Sequence, residues 1–307
     1  MVFETGAGTS QLVLADLQGR TQVVVPEQKN YSYPRFSPDG RKIAVGVQTP
    51  TSTDVWIYDL ASRTPTRLTT EGSNDRPEWT PDGRRVLYYA TGRQGRPRGS
   101  LWWQPSDGSG VDELLQGNVA SGVNEGVMTP DGHVLAYRLN GGGVLEDLWY
   151  RRLDGDTTPK QIATTEYQEL APRFSPDGKW IAYTSNQSGT IEVYVQEFPA
   201  LGARYKVTAA GGTTPIWARD GRHIYYVANE QINVATVSTT PRFAITSRQQ
   251  LFEGVYTFGT PVHAMYDVAP DGQHLLLIKP MNTDAQTIVV HDWKYALRER
   301  AAQAAKK

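Results

Sequence analysis

The 307 residues carry 31 Lys or Arg against 32 Asp or Glu, a formal net charge of −1, so no overall field draws the chain to nucleic acid or to an anionic membrane surface. There is no cysteine, which excludes disulfide staples, thiolate metal sites and a cysteine nucleophile. No run of about 18 apolar residues occurs, so insertion of a membrane helix is not expected, and residues 1–6 have neither the basic n-region nor the apolar h-region of a leader. Such an opening fits a cytoplasmic chain or the trimmed, mature part of a longer one.

In chain order, two apolar runs come first, Gln11-Leu-Val-Leu-Ala15 and Thr21-Gln-Val-Val-Val25, and both read as strands without a turn of their own. A turn motif then recurs six times: Phe36-Ser-Pro-Asp-Gly40, Trp79-Thr-Pro-Asp-Gly83, Met128-Thr-Pro-Asp-Gly132, Phe174-Ser-Pro-Asp-Gly178, Trp217-Ala-Arg-Asp-Gly221 and Val268-Ala-Pro-Asp-Gly272. Its glycines lie 43, 49, 46, 43 and 51 residues apart, and a fixed period of this size marks a repeat architecture. Pro sets φ, Asp bonds the backbone two residues on and Gly accepts positive φ, so each copy is a tight hairpin. A β-rich run follows each turn, as in Lys42-Ile-Ala-Val-Gly-Val47, Arg85-Val-Leu-Tyr-Tyr89 and Trp180-Ile-Ala-Tyr-Thr184. A third, alternating strand comes next (Asp54-Val-Trp-Ile-Tyr-Asp59, Glu192-Val-Tyr-Val-Gln196), then a short fourth (Thr66-Arg-Leu-Thr69). Four antiparallel strands per period predict an all-β, six-bladed β-propeller. Gln273-His-Leu-Leu-Leu-Ile278 and the run from Thr287 to Trp293 end the pattern, so the N-terminal strands are expected to complete the last blade. Four candidate strands for two places leave an irregular seventh blade as the alternative. Residues 1–293 thus form one propeller domain, and the Ala-rich, charged residues 294–307 a short helical or disordered tail.

The Pro-x-Phe/Trp-Ser/Thr-Pro-Asp-Gly turn and the strand after it resemble the WD40-like repeats of the TolB-type six-bladed propellers, over most of the chain. More narrowly, Tyr33-Pro-Arg-Phe-Ser-Pro-Asp-Gly40, Asp54-Val-Trp-Ile-Tyr-Asp59, Arg67-Leu-Thr69, the run from Phe174 to Ser185, Glu192-Val-Tyr-Val195 and Val290-His-Asp-Trp293 are similar to the propeller often found C-terminal to membrane-anchored bacterial Ser/Thr kinases. The kinase motifs themselves are missing from this chain. The resemblance implies an extracytoplasmic or periplasmic sensing or docking module, with an upstream kinase domain as a further expectation. It is an argument from fold, and function resides in sites.

The residues set two readings side by side. The turn carboxylates Asp39, Asp82, Asp131, Asp177, Asp220 and Asp271 are explained by turn chemistry, and Phe36, Trp79, Phe174 and Trp217 by packing between blades. Nine residues before the repeat glycine, at the mouth of the tunnel, stand Tyr31, Asn74, Val123, Glu169, Gly212 and His263, with Asp75, Arg76, Asn124 and Glu125 beside them. A polar, hydrated mouth is the plain expectation, with Tyr31, Asp75, Arg76 and Glu125 as binding residues for a protein or small ligand. The longer insertions at residues 91–99, 140–146 and 254–261 would add contact surface. The other reading gathers Asn74, Asn124, Glu169 and His263 around Ca²⁺ or another divalent cation, as in lactonase- or phosphotriesterase-like hydrolases of propeller fold. No Gly-x-Ser-x-Gly elbow or dinucleotide fingerprint occurs, so neither a serine hydrolase nor a nucleotide cofactor is expected.

Overall fold

The computed structural model describes residues 2–4, 9–92, 99–117, 122–140, 146–163, 166–281 and 287–289. The tail from residue 294, the Val290-His-Asp-Trp293 motif and most of the insertions at 91–99 and 140–146 lie outside the described residues. Among the described residues there is no helix, and hence none long and apolar enough to cross a membrane.

The turns form as their chemistry dictates. In the first, Ser37 Oγ donates to Asp39 Oδ1 (2.6 Å), which also accepts from the Arg41 N–H (3.0 Å), while Gly40 takes φ 72°. Thr80–Asp82, Thr129–Asp131 and Ser175–Asp177 repeat the contact at 2.5 to 2.7 Å. The last two turns have Ala218 and Ala269 in place of the hydroxyl, and there His223 and His274 reach the turn carboxylate instead, at 2.6 and 2.7 Å. These hydrogen bonds hold Asp39, Asp82 and Asp131 below the usual carboxylate range.

Four sheets have four strands each. Blade 2 runs from Ser73–Trp79 to Glu113–Gln116, blade 3 from Val123–Met128 to Lys160–Ala163, blade 4 from Glu169–Phe174 to Arg204–Lys206 and blade 5 from Thr213–Trp217 to Ala244–Phe252. A fifth sheet has seven strands because the 16-residue strand Thr21–Phe36 serves two blades. Residues 21–29 pair with Ser10–Asp16, which pairs with His274–Pro280, and Asp267–Val268 completes blade 6. Residues 30–36 pair with Lys42–Gln48 and open blade 1, which continues through Thr53–Asp59 and Pro65–Arg67. The N-terminal strands therefore complete the last blade, as expected. The strand Thr287–Val289 joins no blade and pairs with Val2–Glu4 in a two-stranded ribbon.

Period-2 alternation buries both faces of each sheet. In the second strand of blade 4, Ile181 and Tyr183 pack toward blade 3, whereas Trp180 and Ala182 pack toward blade 5. Every neighbouring pair of blades shares one such apolar cluster, including blades 6 and 1 through Leu12, Val25, Val45 and Leu276. Six four-stranded units and six interfaces between them make the ring six-bladed.

Successive turns also stack around the axis. A Cβ on Gly83 would lie 3.5 Å from Pro38 of blade 1, and one on Gly40 would lie 3.1 Å from Pro270 of blade 6, whereas one on Gly272 meets open space. Both Gly40 and Gly272 have positive φ, so alanine costs about 1–2 kcal/mol at either from the backbone alone. Gly40→Ala is expected to lower the urea midpoint further than Gly272→Ala because only the former presses on the closing blade. Equal midpoints would show that the turn stack carries no load at the closure.

Candidate functional site

The innermost strand of each blade lines the axis, and in five of the six it slips register before its turn. In four blades the slip places a residue with φ near 50° (Tyr33, Arg76, Ala171, Thr214) directly before a proline (Pro34, Pro77, Pro172, Pro215). The next residue, five before the repeat glycine, is Arg35, Glu78, Arg173 and Ile216 in these blades, with Val127 and Asp267 in the other two.

These side chains meet at the centre. Glu78 Oε1 accepts from Arg35 Nε (2.8 Å) and from Arg173 Nη2 (2.6 Å), joining blades 1, 2 and 4. Arg35 Nη1 donates to the carbonyls of Pro34 and Tyr266, and its Nη2 lies 2.9 Å from His263 Nε2. A guanidinium can only donate, so Nε2 is the acceptor, and the ring proton sits on Nδ1, which donates to Glu125 Oε2 at 2.6 Å. Glu125 Oε1 in turn accepts from Arg138 Nε (2.9 Å) and from the bulged Ala171 N–H (3.0 Å). Arg138 also pairs with Glu146, and Asp267 caps the Phe36 N–H at 2.7 Å. One connected network thus ties together the inner walls of blades 1, 2, 3, 4 and 6.

The charge states follow from this packing. Burial alone would raise the Glu78 carboxyl, but Arg173 and Arg35 outweigh it and hold the group well below the usual carboxylate range. Burial opposes Glu125 too, yet Arg138, then His263 and Arg76, bring it down to about 2. Asp267 goes the other way, raised to about 6 by burial, against the pull of Arg35. Burial lowers His263, despite its two carboxylate neighbours, and keeps the ring neutral.

The residues expected at the mouth do not all meet. Glu125 and His263 sit in the network. Asp75, Arg76 and Asn124 form a layer beside it: Arg76 Nη1 donates to the Asn124 carbonyl (2.9 Å) and lies over the Tyr33 and Tyr89 rings, while Asp75 accepts from Ser32 Oγ (3.1 Å). Tyr31 turns into the core between blades 6 and 1, where its hydroxyl meets Glu27 O and Tyr58. Asn74 donates to Glu71 O (2.9 Å), Asn124 Nδ2 faces Glu146 (3.4 Å) and Glu169 is fully buried at the start of its strand. The cation reading needs His263 with Asn74, Asn124 and Glu169, but both His263 ring nitrogens are committed to protein partners. Among the described residues, no three His, Asp or Glu side chains are grouped to hold a metal ion. The insertion at residues 254–261 packs Tyr256 and Phe258 on the core between blades 5 and 6 and leads His263 into the axis.

Arg35, Glu78, Arg173, Asp267 and Arg138 were not singled out from the sequence. The signal for the first three was the charged x of Pro-x-Phe/Trp, which recurs at the same position in three repeats.

Above the network, at the end of the ring formed by the Pro-Asp-Gly turns, lies a cavity of about 520 Å³ lined by all six blades. Arg35, Glu78, Arg173 and Asp267 border it along with Phe36, Trp79, Phe174 and Trp217, and five turn prolines surround it. The turn of blade 5 has Arg219 in place of proline, and its guanidinium reaches across to the Pro38 carbonyl of blade 1. Clefts of about 590 and 680 Å³ lie between neighbouring turns, but each is built by two blades. The axial vestibule is therefore the place where the whole ring converges.

Removing one partner of a buried ion pair leaves the other charge uncompensated, so Glu125→Gln is expected to cost about 3–5 kcal/mol in urea unfolding; a loss below about 1 kcal/mol would mean that the network is not the clamp it resembles. A second expectation concerns pH. Glu78 and Glu125 are depressed in the fold, so their stabilisation is present above the unfolded carboxylate value and is lost as pH falls. Neutral His263 likewise costs stability as pH falls below about 6.5. Asp267, held up to about 6, contributes below its unfolded value and loses that contribution as pH rises through 6. Asp267→Asn removes this opposing slope, so its melting temperature should fall more steeply than that of the unmodified chain between pH 6 and 4. Parallel curves would refute the assignment.

Residues 1–139 match the PD40 family, TolB beta propeller domain. The fold resembles the TolB-like protein of Agrobacterium tumefaciens at TM-score 0.70 and 18% identity, covering 91% of this chain and 100% of that one. It resembles TolB of Acinetobacter baumannii at TM-score 0.59 and 16% identity, covering 92% and 65%. Dipeptidyl-peptidase 5 of Porphyromonas gingivalis is 28% identical over 152 residues, 47% of this chain but only 22% of that protein. Repeat, ring and structural likeness together show a β-propeller fold like that of the TolB proteins, and the match to the TolB beta propeller family model lies in residues 1–139.

Proposed function

We propose that the chain is a non-catalytic binding or sensing propeller that presents the axial vestibule and the loops around it to a protein or small ligand. The observation that carries this reading is the state of the axial ionisable groups. Glu78, Glu125, Arg35 and His263 are each engaged by another buried group, which suits a rigid floor and leaves no activated nucleophile or poised base among them. The TolB relatives support a binding role by likeness of fold alone, and an extracytoplasmic setting belongs to the proposal on the same footing. The likeness to dipeptidyl-peptidase 5 spans about a fifth of that enzyme, and this chain has no Gly-x-Ser-x-Gly elbow. A metal-dependent hydrolase would have to draw His263 away from Arg35 and Glu125 before it could use the ring as a ligand.

Purified chain assayed against ester, lactone and phosphotriester substrates, with and without added Ca²⁺ or Mn²⁺, should show no turnover above background. The same cations should leave its melting temperature unchanged. Efficient turnover that is lost in Glu169→Gln, or a cation-dependent rise in melting temperature that the same variant abolishes, would replace the binding module with the hydrolase.

A further inference from the structure

The repeat departs from itself at one place on the vestibule rim. Five turns read Pro-Asp-Gly, and blade 5 reads Arg219-Asp220-Gly221. Proline at this position presets the turn, so arginine gives up local preorganisation for a charged group at the axis. The adjacent Asp220 makes no ion pair with it: its carboxylate accepts from the Arg222 N–H (2.8 Å) and meets His223 Nδ1 (2.6 Å). Among the described residues, the partner of the exposed Arg219 guanidinium is a neutral one, the Pro38 carbonyl two blades away.

The floor below it is also rich in donors. Arg173 spends Nη1 on the Pro172 carbonyl (3.0 Å) and Nη2 on Glu78, so Nε–H and one hydrogen on each terminal nitrogen remain outside protein hydrogen bonds among the described residues. The two acids of the cavity already hold donors of their own. Glu78 accepts from two guanidiniums through the one oxygen Oε1, and Asp267 accepts through both of its oxygens from the backbone N–H groups of Phe36 and Val268 (2.7 and 2.9 Å). Three arginines, Arg35, Arg173 and Arg219, therefore face two engaged carboxylates in one cavity, which leaves an excess of positive charge and of unspent donors. Low-dielectric walls of proline and aromatic side chains concentrate that field on whatever enters.

Resting on the binding-module reading, we propose that the vestibule binds a small organic carboxylate, with Arg219 and Arg173 holding the carboxylate and the rim of Phe36, Trp79, Phe174 and the turn prolines covering its apolar body. Planar guanidinium forks match a carboxylate in geometry as well as charge. A cavity of about 520 Å³ lies within the range of small-molecule sites, and its floor is closed by the ion-pair network. Arg219 is the adjustable part, since its tie to Pro38 is a single neutral contact that a ligand carboxylate outcompetes.

Arg219→Pro supplies the test, because it restores the residue found in the other five turns and should not disturb folding. A panel of aromatic and aliphatic carboxylates is screened against the full chain by ligand-observed NMR, each paired with its primary amide. The expected result is binding by members of the acid series over their amides, weakened at least tenfold by Arg219→Pro and reduced by added salt. Arg219→Lys should retain part of the affinity by keeping the charge while losing the fork. Failure of every acid to exceed its amide, or acid binding indifferent to Arg219→Pro, overturns the proposal. If neutral or cationic compounds or a protein bind instead, the carboxylate assignment falls and the binding module stands. If a compound is turned over, the binding module falls.

Discussion

A single carboxylate between two guanidiniums, Glu78 between Arg35 and Arg173, is the interaction on which the inner wall of this ring depends. Removing an ion from water costs several kcal/mol, and such groups are tolerated only when each finds a partner with good geometry. Here Glu78 joins Arg35 to Arg173, Arg35 meets His263, His263 meets Glu125, and Glu125 meets Arg138 and the Ala171 amide. Apolar surfaces of much the same shape lie between all neighbouring blades, so hydrophobic burial drives the blades together without stating how far each inner strand advances toward the axis. The polar network supplies that information. A slip of one residue in an inner strand would turn its charged residue to the other face and leave partners on two or three other blades buried alone.

The outline of the fold was legible because its determinants are local. Pro, Asp and Gly dictate a hairpin within five residues, and alternation identifies the strands around it. Closure was legible for a related reason: the strands at both ends lacked turns of their own and needed partners. The 16-residue strand Thr21–Phe36 was less obvious, since Pro26 and Pro34 lie inside it and interrupt the β pattern. The ribbon of Val2–Glu4 with Thr287–Val289 shows the limit of the same reasoning, because short strands without a turn do not declare their partner.

The site was legible only in part. Aligning the repeats on their glycines led to Glu125 and His263, since both fall on the inner strand or just before it. Arg35, Glu78 and Arg173 lie on the same strands and were passed over because a charged residue in an alternating strand ordinarily faces solvent. Their partners are 43, 95 and 228 residues away, beyond any local pattern. The bulge before each inner proline adds to the difficulty, because it breaks the simple parity that would otherwise assign faces. Tyr31 illustrates this: it precedes the slip in blade 1 and turns into the core between blades, although alignment places it level with His263.

In a ring of repeats, positions that agree build the scaffold, and positions that differ are free to break its symmetry. Five residues before the glycine the six blades read Arg35, Glu78, Val127, Arg173, Ile216 and Asp267. Asp267 and Glu78 flank Arg35 on the adjoining blades, so that arginine is satisfied by its nearest neighbours and their backbone. Arg173 is flanked by Val127 and Ile216, neither of which can accept a hydrogen bond from it. It must therefore reach past blade 3 to Glu78, and one carboxylate oxygen already shared with Arg35 cannot saturate five N–H donors. The arrangement of apolar and charged residues around the ring thus makes one side of the vestibule floor rich in donors. It is on that side, in blade 5 next to Arg173, that the turn proline gives way to Arg219.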